Sequence, residues 1–176
     1  MVRRVFFSFH HEDVWRVNQI RNSWVTKEDR EAAGYIDAAE FEKVKRQGDY
    51  AVRRWIDKQL DGTSVTVVCI GAETCEREMV RYEIEESIKR GNGIIGIDMH
   101  EMEDKDNKPC PKGKLSFGKI DGEHEFSELY PVYDWKEDDG YNNIADWIEA
   151  AAIAAGREKL GPPPPRYSGH TGCGRT

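Results

Sequence analysis

The chain has 176 residues, 38% apolar and 34% charged, long enough for one domain with a sizeable core and rather polar for a globular protein. A net charge of −7 and a pI near 5.3 argue against a generic grip on a nucleic-acid backbone. No apolar run approaches the ~20 residues a membrane helix needs, so neither nucleic acid nor membrane is expected as a partner.

Taken in chain order, residues 2–9 are dense in Val and Phe and read as a buried strand ending in Ser8-Phe9. The start, MVRRVFFSFHHED, has a short apolar run and no small-residue cleavage site after it. It reads as a strand and not as a signal peptide, and a cytoplasmic location is expected. Residues 12–24 carry Val14, Val17, Ile20 and Trp24 at helical spacing, with Asp13 as a first-turn acid. TKEDREAAG is a polar connection, and Tyr35-Ile36-Asp37 a very short strand. Residues 38–60 are helical in composition, with a break near Gly48-Asp49 and a stop at Asp61-Gly62. SVTVVCI, residues 64–70, is the clearest strand, its β-branched run predicting burial on both faces and a central parallel position.

A loop over residues 71–77 leads into the helix MVRYEIEESIKRG, and residues 94–99, IIGIDM, form a second apolar strand. Residues 100–128 are mostly polar and read as a long excursion of low order. YPVYDW is the last strand, at an edge because of Pro131. Residues 141–159 form a helix with Ile144, Trp147, Ile148 and Ile153 facing in. The end, GPPPPRYSGHTGCGRT, cannot build a core, so a domain over residues 1–160 and an exposed tail over 161–176 are expected.

Alternation of strands and helices predicts an α/β fold: a three-layer, flavodoxin-like arrangement of about five mostly parallel strands with helices on both faces. Ligands of such sheets bind beyond the carboxyl ends of the strands. Topology therefore brings His10, after the first strand, and Glu83, on the helix after the central strand, to one rim. On a helical wheel Val80, Ile84 and Ile88 form an apolar stripe with Ser87 beside it, and Glu83 falls about 80° from the centre of that face, at the border of core and solvent. That position makes Glu83 the candidate among the helix's glutamates and predicts that Glu83→Gln leaves stability nearly unchanged.

Other chemistries find little support. There is no GxxxxGK[ST] phosphate loop, and GNGIIG, although spaced as GxGxxG, enters a strand rather than leaving one. The His-His-Glu-Asp cluster lacks HExxH spacing, and no metal site is expected. Cys69, Cys75, Cys110 and Cys173 form no CxxC pair and are read as reduced thiols. A phosphoacceptor domain needs an aspartate where this chain has Cys69-Ile70-Gly71.

RRVFFSFHHED resembles the first-strand box of Toll/interleukin-1 receptor (TIR) domains, and GAETCEREMVRYEIEESIKRG resembles the box carrying their NAD-splitting glutamate. Met79 stands where that box has tryptophan. FFSFHHEDVWRVNQIRNSWVT, GYIDAAEFE, TSVTVVCIGAET and VYDW resemble, in order, the TIR-like subfamily that includes the Thoeris anti-phage signalling subunit. The resemblance implies a TIR-like fold and cleavage of the nicotinamide–ribose bond of NAD as substrate, with no cofactor. Glu83 would be catalytic, and Ser8, Phe9, His10 and Asp37 would contact substrate. The implied product is a cyclic ADP-ribose isomer acting on a separate effector protein, with a phage-derived activator and a homo-oligomer as further partners. Two alternatives remain at this point: a TIR-like interaction module without catalysis, and a nucleoside deoxyribosyltransferase-like enzyme.

Overall fold

The computed structural model describes residues 3–26, 29–34 and 38–157. Five strands form one sheet in the order β2-β1-β3-β4-β5. They are β1 (Arg3–Ser8), β2 (Arg30–Ala33), β3 (Val65–Ile70), β4 (Gly93–Asp98) and β5 (Val132–Asp134), and every pairing is parallel. The central strands are buried along both faces, as their unbroken apolar runs require. Their period of two divides one run between two layers. Val5, Phe7, Val65, Val67 and Cys69 point into the layer with Val17, Ile20, Ile144 and Ile148. Phe6 instead meets Val52, Ile56 and Leu60, while Val68 and Ile70 meet Val80 and Ile84. Helices α1 (Val14–Val25) and α6 (Gly140–Ala154) thus cover one face, and α3 (Asp49–Leu60) and α4 (Glu78–Lys89) the other. The α/β, three-layer, flavodoxin-like reading holds.

The predicted helix break is real: α2 (Ala38–Arg46) ends before Gly48, whose φ of +96° suits glycine, and α3 begins at Asp49. Four expectations need correction. The edge strand β2 lies at Arg30–Ala33, inside the stretch read as a polar connection. Its composition is poor for a strand, but pairing of Arg30 to Ala33 with Arg3 to Phe6 overrides local preference, and charged residues suit an edge. The strand expected at 35–37 falls outside the described residues, as do the tail from 161 and Cys173.

On α6, Ile153 is 51% exposed, whereas Ala151 and Ala152 face in. The reason is close approach: a Cβ on Gly93 would lie 2.3 Å from the Ala151 carbonyl oxygen, leaving room only for small residues.

The third correction concerns residues 100–128, which form a packed strap. Met102, Cys110, Phe117, Ile120 and Phe126 are buried. Residues 101–110 make a small antiparallel loop, with Glu101 N–H donating to Cys110 O and Cys110 N–H to Met102 O, each at 2.9 Å. Arg16 ties this loop to α1 by donating to Met102 O (2.8 Å) and Lys108 O (2.9 Å). Further along, Arg81 on α4 donates to Phe117 O and Lys119 O, and a short helix α5 (Phe126–Leu129) closes the strap. Sparse apolar anchors and charged clamps at irregular spacing hold the segment, which periodicity cannot register. The fourth correction, to the placement of Glu83, belongs to the site. No helix of the described residues is long and apolar enough to cross a membrane.

Candidate active site

The sheet order reverses direction between β1 and β3, so a crevice opens beyond their carboxyl ends. Ser8 ends β1 and is 1% exposed. After β3 the chain turns through Thr74, whose Oγ1 accepts the Gly71 N–H at 2.8 Å, and a 3-10 turn over Thr74–Glu76 delivers it to α4. Glu83 lies one turn inside α4, and the Ser8 hydroxyl donates to Glu83 Oε2. Two segments remote in sequence thereby meet at the floor of the crevice.

Glu83 is only 9% exposed, more deeply set than the wheel predicts. The inward face of α4 comprises Val80, Glu83, Ile84 and Ser87, and it is rotated away from Ile88. Ser87 lies on that inward face. Its hydroxyl meets Thr66 Oγ1 on β3 at 2.7 Å and its own helix's Glu83 O at 2.6 Å, so a polar pair docks that side on the sheet. Burial pushes the Glu83 carboxyl up to about 8, against a smaller downward pull from the Ser8 hydrogen bond. In the free site at neutral pH this carboxyl is therefore mostly protonated.

Above Glu83 is a cleft of about 490 Å³ lined by Phe9, His10, Phe41, Lys45, Arg77 and Met79 among others. His10 is 9% exposed and its Nδ1 accepts the Glu12 N–H at 3.2 Å. That bond places the proton of the neutral ring on Nε2. Burial, then the Arg77 charge, hold the His10 pKa below its ordinary value, so the ring is neutral. Nε2 is buried and has no hydrogen-bond partner; Glu73 Oε2 is 3.9 Å away. His10, Glu12 and Glu73 offer ligand atoms within 4.8 Å of one another. The tautomer set by Glu12 N–H turns a donor, not a lone pair, toward that group, which is a poor fit to a cation.

The structure thus gathers four of the expected site residues in one place: Ser8 and Glu83 in contact, Phe9 and His10 on the wall above. Asp37 lies outside the described residues. Sequence reasoning did not find Phe41, Lys45 or Arg77. Phe41 and Lys45 reach the cleft because the break at Gly48 lets α2 fold back over it; Phe41 lies in the stretch GYIDAAEFE, which by itself assigns it no role, and no motif marks Lys45. Arg77 is the N-cap of α4 and was legible only as a charge beside a helix start. Asp13, read as a first-turn acid, is buried at 8% exposure and makes no capping bond; Arg16 Nη1 donates to its Oδ1 at 3.1 Å. Cys69, Cys75 and Cys110 are free thiols.

Residues 6–104 match the family described as Thoeris protein ThsB, TIR-like domain. A Bacillus cereus (strain MSX-D12) protein named "Putative cyclic ADP-D-ribose synthase ThsB1" is 38% identical, over 84% of this chain and the whole of that protein. With its parallel five-strand sheet and the Ser8–Glu83 contact at the switch point, the chain belongs to the ThsB family of TIR-like proteins.

Proposed function

We propose that this protein splits the nicotinamide–ribose bond of NAD and closes the remainder into a cyclic ADP-ribose isomer, with Glu83 as the catalytic residue. The observation that carries the reading is a buried carboxyl, held by a serine hydroxyl, at the floor of an open cleft at the sheet's switch point. Membership of a family whose relative is named for cyclic ADP-ribose synthesis supports it.

The chemistry asks little proton transfer of the protein. Nicotinamide leaves with the electron pair of the C1′–N bond and becomes neutral, so no strong general acid is needed. The difficulty is positive charge at the ribosyl carbon, as in glycoside cleavage. A carboxylate fixed beside the ribose stabilises that charge and holds the hydroxyls. The cationic nicotinamide riboside favours the ionised form of Glu83, whose proton leaves to solvent on binding. Ser8 holds Oε2, Phe9 packs on the sugar, and the His10 Nε2–H donates to a substrate oxygen. An atom of the adenine half then attacks C1′, loses its proton and closes the ring. A folded substrate and exclusion of water favour that attack over hydrolysis. Asp37 contacts the far end of the substrate. The product diffuses to a separate effector protein in the cytoplasm; a phage-derived activator and self-association regulate the synthesis.

The test is mass spectrometry of small molecules from cells making the wild type or Glu83→Gln, with and without phage. A cyclic ADP-ribose mass only with wild type is expected. Base exchange on nucleosides would point to a deoxyribosyltransferase-like enzyme. NAD unchanged in every condition would favour an interaction module.

A further inference from the structure

Two features of the cleft supply hydrogen-bond donors away from Glu83. The first is the amino-terminal turn of α4. Among the described residues, the backbone N–H groups of Glu78, Met79 and Val80 have no acceptor, and no side chain caps the turn. All three residues line the cleft. Unpaired N–H groups at the start of a twelve-residue helix suit an anion. The second is independent: His10 also lines the cleft, and its buried Nε2–H has no hydrogen-bond partner, with Glu73 Oε2 3.9 Å away. Arg77 stands at the N-cap and Lys45 on the facing helix.

Resting on the NAD reading above, we propose that the first turn of α4, Arg77, the His10 Nε2–H and Lys45 together grip the pyrophosphate of the dinucleotide. The spacing fits. Met79 precedes Glu83 by four residues, ~6 Å at the α-helical rise of ~1.5 Å. A ribose and its 5′-methylene span that interval, so a phosphate at the helix start puts C1′ beside Glu83. Arg77 is now paired with Glu73 at 2.9 Å, and both side chains are about half exposed, at 45% and 54%. Such a surface pair is worth ~1 kcal/mol or less, so Arg77 exchanges the carboxylate for phosphate readily. Glu12, Glu76 and Glu78 share the rim, leaving no net positive field at the mouth. Recognition is therefore by directed donors, and it selects a phosphate tethered to a cationic nicotinamide riboside over free inorganic anions.

The test is calorimetric binding to full-length protein carrying Glu83→Gln, which binds without turnover. NAD and nicotinamide riboside, which lacks the pyrophosphate, are compared before and after adding Arg77→Gln or His10→Phe. We expect each addition to weaken NAD at least about tenfold and to change nicotinamide riboside less than about twofold. Thermal melts confirm that the variants fold; Arg77 is exposed, so that variant serves if His10→Phe does not. NAD binding unaffected by Arg77→Gln, or an equal loss for both ligands, overturns the clamp and leaves the Glu83 chemistry standing. No NAD binding at all to Glu83→Gln overturns the clamp and the NAD reading together.

Discussion

Replacing Glu83 with glutamine should stabilise this protein, and by an amount that grows with pH. The carboxyl of the folded state is pushed up to about 8 from an ordinary 4.5, with burial as the first cause. Between those values the native state keeps a proton that the unfolded chain has lost. Raising the pH through that window therefore costs stability, at ~1.4 kcal/mol per unit. The full window corresponds to a ceiling of roughly 5 kcal/mol, absent below about pH 4.5 and fully expressed above about pH 8. Glutamine has the same shape, carries no charge and can still bond the Ser8 hydroxyl, so it escapes the cost. Near-neutrality, expected from a border position on the wheel, gives way here because Glu83 is buried. Urea unfolding of wild type and Glu83→Gln at pH 5, 7 and 8.5 is the assay. The variant should be about equal to wild type at pH 5 and more stable by several kcal/mol at pH 8.5. A difference that does not change with pH would refute the reasoning, since it would mean a solvated carboxyl.

Further expectations concern activity and the strap. The pH profile of kcat/KM for NAD should rise toward a midpoint near 8 as the free site ionises. Ser8→Ala removes the bond that lowers the Glu83 pKa, so the midpoint should move up and the rate at pH 7 fall about 10–100-fold; a profile that keeps its midpoint would count against the contact. Arg16→Ala leaves Asp13 buried and unpaired and frees two strap carbonyls. A loss of about 3–5 kcal/mol and faster proteolysis within residues 101–110 are expected, and an unchanged melt would count against the clamp. Gly113→Ala would put a Cβ 2.0 Å from Gly71 O, a backbone atom that cannot yield cheaply. Thermal melting should show a loss of about 1–3 kcal/mol.

The two apolar strands at 64–70 and 94–99, the helix break at Gly48 and the α/β alternation were legible in the residues themselves. These features are local: a β-branched run, a glycine that can take positive φ, a change of hydrophobic period. The first-strand box and the Glu83 box were legible for the same reason, and chain topology alone brought their ends to one rim. What only the tertiary structure decided depends on partners remote in sequence. Arg30–Ala33 became a strand because the free edge of β1 was there to pair with it. The strap became ordered because Arg16 and Arg81 hold its carbonyls. Glu83 lies in the interior and not at the border, on the face of α4 that docks on the sheet where Ser87 bonds Thr66, and that burial raises its pKa. A helical wheel records which residues share a face, but the direction in which that face docks is set by the surface it meets.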